Sequence, residues 1–297
     1  MFRFILSFSI FYSVVFPNTF LTSLGECALE IYGGRVEDIP EIVQLIKVET
    51  ENLIQEFGSV ERRPFSIYIT SNMNDFNEKS KGPVPEWGIA VAKMKPDRVI
   101  LKAPGIGNIS FSRMKEVIIH ELNHIYIFRI QNYDTIPSWF KEGLAMRSSN
   151  EFSLLHKIEI SKFIWQKQII PLSRLININL YSREKVKLAY GESAAAIEAL
   201  EYYYGDDILL IILNYMKNDA DFEPSFEKAS GEEFVDFQIK FETYLEANYN
   251  WIFLLKASKY IYVILPLILA LGFVFHRYRS RKILAQWELE EELENTQ

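Results

Sequence analysis

The sequence predicts a mixed α+β fold with a small sheet, a helical second half and a single transmembrane helix near the C terminus. Three observations support this prediction. Short stretches rich in β-forming residues occur over Phe65–Thr70, 88–92 and 98–102. Most of the chain beyond Pro104 repeats its apolar residues at helical spacing. Finally, residues 260–275 form a run of sixteen residues without a charge, which is typical of a membrane span.

Composition limits the classes of function. The chain has 297 residues, of which 49% are hydrophobic, so it can bury a sizeable core. Its 32 Lys and Arg against 39 Asp and Glu give a formal net charge of -7, and no long basic run could neutralise a row of phosphates. We therefore expect no nucleic-acid partner. The single cysteine, Cys27, excludes an internal disulfide.

The N-terminal segment has the features of a signal peptide. Residues 4–16 carry no charge, and as a helix they would reach only about 20 Å, short of a hydrocarbon core of about 30 Å. Small residues follow, so we expect cleavage near Gly25 and a signal peptide over 1–25. An uncleaved anchor is the alternative. Lipidation of Cys27 is disfavoured because Glu26 precedes it.

The C-terminal apolar run predicts a transmembrane helix over 259–276, with a buried core helix as the alternative. By the positive-inside rule, cationic residues directly after the run favour a cytoplasmic tail over 277–297. The expected protein is therefore single-pass, held in the membrane by one C-terminal span. Residues 26–258 would form one extracytoplasmic domain, periplasmic or extracellular. The cationic residues are Arg277, Arg279, Arg281 and Lys282.

Helical spacing predicts the main elements of that domain. An opening helix should run from 36 to 57 and end at Gly58. Another should run from 113 to 130 after a Ser112 cap. Further helices are predicted over 139–148, 153–168, 189–204, 208–217 and 233–247.

The predicted helix after Ser112 contains His120-Glu-Leu-Asn-His124, an H-E-x-x-H pattern. Two histidines four residues apart share one helical face, with Cβ atoms about 5 to 6 Å apart, so both can reach one zinc ion. Glu121 lies about 100° round the helix and can take a proton from zinc-bound water. We interpret Asn123 as a surface-tolerant spacer. The alternative is a helix whose two histidines are merely core or surface residues.

A catalytic zinc site needs a third protein ligand and an open position. Ile127 and Ile130 occupy the positions where a metzincin carries glycine and its third histidine, which excludes that branch. Glu142 is the better candidate, because its Trp-Phe-Lys-Glu-Gly-Leu-Ala segment begins a new helix after a turn and can return against the first. His156, well downstream, is the first alternative.

The two motifs together resemble the gluzincin metallopeptidases, in particular the peptidase MA-like group of zinc-dependent, often membrane-associated hydrolases. The resemblance implies that His120, His124 and Glu142 bind one zinc ion per chain and that Glu121 is the general base. It also implies a zincin-like catalytic domain, with a small sheet, the active-site helix beneath it and a helical C-terminal half across a cleft. In that fold an edge strand from the region 65–102 can bind an extended peptide.

The sequence departs from the gluzincin pattern at two points and resembles it at one further residue. No Gly-x-Met-Glu-Asn motif is present, which favours an endopeptidase. Met146 lies one turn after Glu142, where some gluzincins have an acid that orients a ligand histidine, so this support must come from elsewhere. Tyr190 resembles the tyrosine in the equivalent segment of the group, which implies a donor to the oxyanion. A core or surface tyrosine is the alternative.

The sequence therefore predicts a membrane-anchored zinc-dependent metallopeptidase that hydrolyses peptide bonds by Glu-assisted attack of zinc-bound water. Its substrates would be peptides or proteins near the membrane. The alternative is a catalytically silent zincin-like domain that binds a partner at the membrane surface, which the intact Glu121 disfavours. A purely structural zinc site would need a fourth ligand, and the sequence offers no cysteine or nearby histidine for it.

Overall fold

The computed structural model describes residues 18–81, 84, 88–175, 178, 181–218, 220–252 and 265–281. Five strands form one mixed sheet in the order β1-β2-β3-β5-β4. The three inner strands are parallel, and the two edge strands, β1 and β4, run antiparallel to their neighbours. The strands are β1 (Asn18–Thr22), β2 (Gly25–Ile31), β3 (Phe65–Thr70), β4 (Ala90–Lys93) and β5 (Arg98–Lys102).

Helices make up most of the remaining described chain. Before the helix that carries the H-E-x-x-H pattern, helices and strands are interspersed. From that helix onward, helices follow one another without a strand in the described part of the chain. They are α1 (Ile39–Phe57), α2 (Met73–Ser80), α3 (Phe111–Ile127), α4 (Ser138–Ser148), α5 (Leu154–Trp165), α6 (Arg183–Tyr204), α7 (Ile208–Lys217), α8 (Phe222–Ser230) and α9 (Phe234–Tyr249). The predicted small sheet and helical second half are therefore confirmed.

One part of the core lies between the sheet and the helices α1 and α3, and the same core continues into the helical half of the chain. Strand β3 is central, and its Ile67 and Ile69 are buried, as β-branched residues in an inner strand are expected to be. Helix α1 buries Ile42 and Ile46, four residues apart on one face. Gly58 then ends α1 with a positive φ of 80°, a conformation that glycine adopts without steric cost.

Helix α3 begins two residues earlier than the sequence suggested. The side chain of Ser110, not Ser112, accepts a hydrogen bond of 3.1 Å from the backbone N–H of Arg113. This satisfies one of the unpaired donors at the helix start. The last helical residue is Ile127, so both histidines of the motif lie within α3, His124 in its last turn.

The N-terminal part of the described chain forms a hairpin that the sequence did not predict. Strands β1 and β2 pair across the expected cleavage site, with Thr22 opposite Gly25. Leu24 in the turn is fully buried, and the guanidinium of Arg129 donates to its carbonyl oxygen. Cleavage near Gly25 would remove one strand from the sheet, so the structure does not support a signal peptide over 1–25. Residues 1–17 lie outside the described residues.

The predicted transmembrane helix over 259–276 is wrong. Among the residues that the structure describes, no helix is both long enough and apolar enough to cross a membrane. Residues 265–281 are helical and exposed, but only 265–275 precede the charged residues, a length of about 17 Å against about 30 Å of hydrocarbon. Residues 259–264 lie outside the described part. The single-pass membrane localisation that was inferred from this span, with an extracytoplasmic domain and a cytoplasmic tail, is overturned with it.

Candidate functional site

Three side chains from α3 and α4 meet at one point. His120 and His124 lie one turn apart on α3, and their Nε2 atoms are 3.3 Å from each other. Oε2 of Glu142, on α4, lies 3.4 Å from Nε2 of His120 and 3.5 Å from Nε2 of His124. The structure therefore brings together the three predicted zinc ligands, and these three groups could hold a metal ion.

The separations fit a tetrahedral zinc ion. Ligand atoms bound at about 2.0 to 2.1 Å in tetrahedral geometry stand about 3.3 to 3.4 Å apart, close to the three distances here. Oε2 of Glu142 is also buried without a hydrogen-bond partner among the described residues, which is costly unless a cation is bound there. In the described part of the chain the cluster has three ligands, which leaves a fourth position for substrate or water.

The site also favours positive charge electrostatically. Burial acts to lower the pKa of His120, but the carboxylates of Glu142 and Glu151 outweigh it and raise this pKa to about 10. Burial acts to raise the pKa of Glu142, yet His124 and His120 hold it well below its usual range. Carboxylates that stabilise a proton on an imidazole would equally stabilise a metal cation in its place.

Glu121 lies beside this cluster rather than in it. Its side chain is buried, with 7% of the residue exposed, and its Oε2 has no hydrogen-bond partner in the described part of the chain. Burial raises the pKa of Glu121, while His124 and His120 act to lower it. A carboxylate with a raised pKa and an unpaired oxygen is suited to accept a proton from a reacting group.

The second nitrogen of His120 contacts a residue that the sequence analysis missed. Nδ1 of His120 lies 3.3 Å from Oε2 of Glu151, at ion-pair distance but without the alignment of a hydrogen bond. Oε1 of Glu151 lies 3.0 Å from Nη1 of Arg113, which stands two turns before His120 on α3. Met146, buried at the position of the missing acid, does not take this part. Glu151 is thus the carboxylate that can orient His120.

Asn123 is not a surface spacer, as the sequence suggested. It is fully buried, and its Nδ2 donates a hydrogen bond of 2.9 Å to Oγ of Ser148 at the end of α4. This bond ties α3 to the helix that carries Glu142. The prediction failed because the sequence does not reveal that α4 covers this face of α3.

Tyr190 and His156 both line a cavity of about 460 Å³ beside the cluster, whose wall also includes His120 and Glu121. The negative charge of Glu142 and burial raise the pKa of Tyr190 well above its usual value, so the phenol keeps its proton and can donate a hydrogen bond. His156 is not part of the ligand cluster. Its Nδ1 instead accepts a hydrogen bond from Ser153 N–H at the start of α5.

Comparison with known protein families gives one match over most of the chain. The model of the family described as Peptidase MA superfamily matches residues 47–247, more than half of the chain. The matched part runs from α1 to α9 and includes both motifs and the cavity. The chain therefore belongs to the Peptidase MA superfamily.

A curated relative gives a narrower match. Over 142 residues the chain is 25% identical to a Bacillus subtilis (strain 168) protein whose name reads "Uncharacterized protein YhcO". The aligned part covers 45% of this chain and 42% of that protein, so the chain spans less than half of the relative's length. The relative's name assigns it no reaction.

Proposed function

We propose that the protein is a zinc-dependent peptidase of the gluzincin type, acting on peptide or protein substrates, and that it is an endopeptidase. The observation that carries this proposal is the cluster of His120, His124 and Glu142, whose ligand atoms have the spacing of a tetrahedral zinc site. Membership of the Peptidase MA superfamily supports a peptidase as the class of enzyme.

When bound, zinc would supply Lewis-acid chemistry, polarising a carbonyl group and lowering the pKa of a water molecule. Glu121 lies next to the ligands and accepts the proton of the attacking water, then returns it to the leaving amine. Tyr190, in the wall of the same cavity, donates a hydrogen bond to the oxygen on which negative charge develops.

An extended substrate would pair with strand β4. This strand lies at the edge of the sheet, with β5 as its one neighbour in the described part of the chain. Residues 88–90, at its start, line the cavity together with His120 and Glu121. Backbone pairing at a sheet edge binds a peptide with little dependence on its sequence, which suits an endopeptidase.

Metal content and peptide cleavage test this proposal together. The purified full chain should bind about one zinc ion and cleave a mixed peptide library at internal bonds, and chelation should abolish cleavage until zinc is restored. His124→Ala should abolish zinc binding and Glu142→Gln should weaken it, because each removes one of three protein ligands. Wild-type zinc affinity in Glu142→Gln would contradict the assignment of Glu142. Bound zinc without cleavage of any peptide would favour a catalytically silent binding domain.

A further inference from the structure

The cavity beside the metal cluster has basic side chains in the part of its wall that lies away from the ligands. Away from the ligands its wall includes Arg113 of α3, His156 of α5 and Lys187 of α6. Burial lowers the pKa of His156; Glu151 acts to raise it, and the positive charges of Arg113 and Lys187 lower it further. Groups from three helices are therefore close enough at this end of the cavity to affect one another's ionisation.

The positive charge of Arg113 is already matched. Its Nη1 lies 2.8 Å from Oε2 of Glu116 and 3.0 Å from Oε1 of Glu151, and both of these carboxylates line the same cavity. Glu151 in addition contacts His120. The acidic groups at this end thus have partners within the protein, and Arg113 has no charge to spare for a ligand.

Among the described residues that line the cavity, Lys187 is the cation without a carboxylate partner. It is exposed, and among the described residues no carboxylate lies within ion-pair distance of its ammonium group. Lys187 precedes Tyr190 by three residues on α6, so the two side chains lie on the same face of the helix and both line the cavity. An ammonium group at the mouth of a peptide-binding cavity attracts negatively charged groups there.

His156 presents a hydrogen-bond donor at the same end. Its Nδ1 accepts the backbone N–H of Ser153 at 3.3 Å, so the neutral ring carries its proton on Nε2. Helix α6 passes next to His156 and Ile160 of α5 at Gly191, the residue after Tyr190. A Cβ atom at 191 would lie 3.6 Å from Cβ of His156 and 3.4 Å from the side chain of Ile160.

We propose that this end of the cavity, Lys187 with His156, binds a negatively charged carboxylate of the substrate, either an acidic side chain or a C-terminal carboxylate. Lys187 supplies the charge and His156 a hydrogen bond from Nε2. The inference rests on the proposed peptidase function, since it names the class of substrate for that site. The two sources of the carboxylate share this chemistry and are separated by experiment.

The test uses alanine-rich octapeptides that carry Asp, Asn or Lys at each position in turn, each as the free acid and as the C-terminal amide. Cleavage by the zinc-loaded full chain gives kcat/KM, and fluorescence anisotropy with the Glu121→Gln variant gives Kd without turnover. Lys187→Glu reverses the proposed charge. His156→Glu keeps the capping-box pattern at the start of α5 while adding a negative charge. Lys185→Glu, an exposed change on the same helix outside the cavity lining, is the matched control.

For an acidic side chain we expect Asp to be preferred over Asn by about 10-fold at one position, with Lys disfavoured there; for a C-terminal carboxylate we expect the free acids to be preferred over the amides by about 10-fold. Lys187→Glu should abolish or invert this preference, His156→Glu should weaken it, and Lys185→Glu should leave it within about twofold. A preference that survives amidation identifies an acidic side chain, and one that amidation removes identifies the C-terminal carboxylate.

Equal use of Asp, Asn and Lys together with equal use of free acids and amides, or an unchanged preference in Lys187→Glu, overturns the inference. If peptides are cleaved without a charge preference, the peptidase stands and the anion site fails. If nothing is cleaved but Glu121→Gln binds acidic peptides in a Lys187-dependent way, the anion site stands and the peptidase fails. Absence of charge-dependent binding by any peptide overturns the anion site.

Discussion

The carboxylate of Glu151 contacts His120 from outside the two helices that carry the three clustered side chains. Glu151 follows the proposed metal ligand Glu142 by nine residues, outside α4, yet its carboxylate reaches Nδ1 of His120 at 3.3 Å. Asn150, with a positive φ of 55°, turns the chain directly before it. A carboxylate behind a ligand histidine fixes the orientation of the ring and raises its basicity.

Removing this carboxylate should weaken metal binding. We expect Glu151→Gln to lower zinc affinity by about 10- to 100-fold, because His120 loses the group that orients it. Competition titration with a chelator measures the affinity, and the visible spectrum of the cobalt-substituted protein reports the ligand geometry. Glu116→Gln is the control, since Glu116 pairs with Arg113, whereas the ion pairs of His120 in the described part of the chain are with Glu142 and Glu151. Equal affinities for the two variants would refute an orienting role for Glu151.

The sequence predicted the residues whose positions depend on local helical geometry. His120, Glu121 and His124 are fixed relative to one another by the helix itself, and Glu142 comes from a second motif at a helix start. Glu151 could not be predicted in this way, because a turn after α4 determines its approach to His120. One feature of the sequence could have indicated an acidic partner. Arg113 lies seven residues before His120 and therefore on the same face of α3, where a carboxylate could reach both side chains.

At the scale of elements, the position of Glu142 depends on the packing of α4 against α6. Gly143 follows the ligand directly, and a Cβ atom there would lie 2.4 Å from the carbonyl oxygen of Ser193 and 2.6 Å from Cγ1 of Ile197. The two helix backbones are therefore closer than any residue with a side chain allows. The glycine after the glutamate is a requirement of packing next to the metal cluster.

Gly143→Ala should push α4 away from α6. We expect a loss of about 1 to 3 kcal/mol in the free energy of unfolding, with weaker zinc binding because Glu142 moves with the helix. Denaturant unfolding and zinc titration measure the two effects. Gly191→Ala is a matched control in α6, because its Cβ atom would have ordinary contacts of 3.4 Å and more. A Gly143→Ala protein as stable as Gly191→Ala would disprove the packing argument.

Elements with a clear periodic pattern were predicted well. Strand β3 and helix α7 have the predicted limits, and α1 ends at the predicted glycine. Strands β1 and β2 were missed because their apolar residues follow an uncharged N-terminal segment that has the features of a signal peptide. Helix α2 was missed because it is polar and short, with Phe76 as its one buried apolar residue.

At the scale of the whole molecule, Arg129 joins segments that are far apart in the chain. Its buried guanidinium lies 3.1 Å from Oδ2 of Asp97 and donates to the carbonyl oxygens of Leu24 and, at 3.0 Å, Arg63. It thereby fastens the N-terminal hairpin and the segment before β3 to the end of α3. Such long-range pairing leaves no periodic trace in the sequence.

Arg129→Leu should therefore destabilise the whole domain. We expect a loss of about 3 to 5 kcal/mol, because Asp97 would be left buried with a weaker partner and several carbonyl groups would lose their donor. Thermal unfolding measures it, and Arg62→Leu, at an exposed position, should change stability by less than about 0.5 kcal/mol. A chain shortened to begin at residue 26 should be destabilised as well. If Arg129→Leu is as stable as Arg62→Leu, the contacts of Arg129 do not stabilise the domain. If the shortened chain is as stable as the full chain, the hairpin is dispensable.

The central claim is that Glu121 acts as the base of a zinc peptidase. It is tested most directly by the turnover of the Glu121→Gln variant with zinc bound. Glutamine keeps the shape of the side chain but cannot accept the proton of the attacking water. We predict that zinc content and peptide affinity stay at wild-type levels while kcat falls by about 10²- to 10⁴-fold. Wild-type enzyme, stripped of zinc and reloaded, is the control. Cleavage by the zinc-bound variant at the wild-type rate would contradict the proposed role of Glu121.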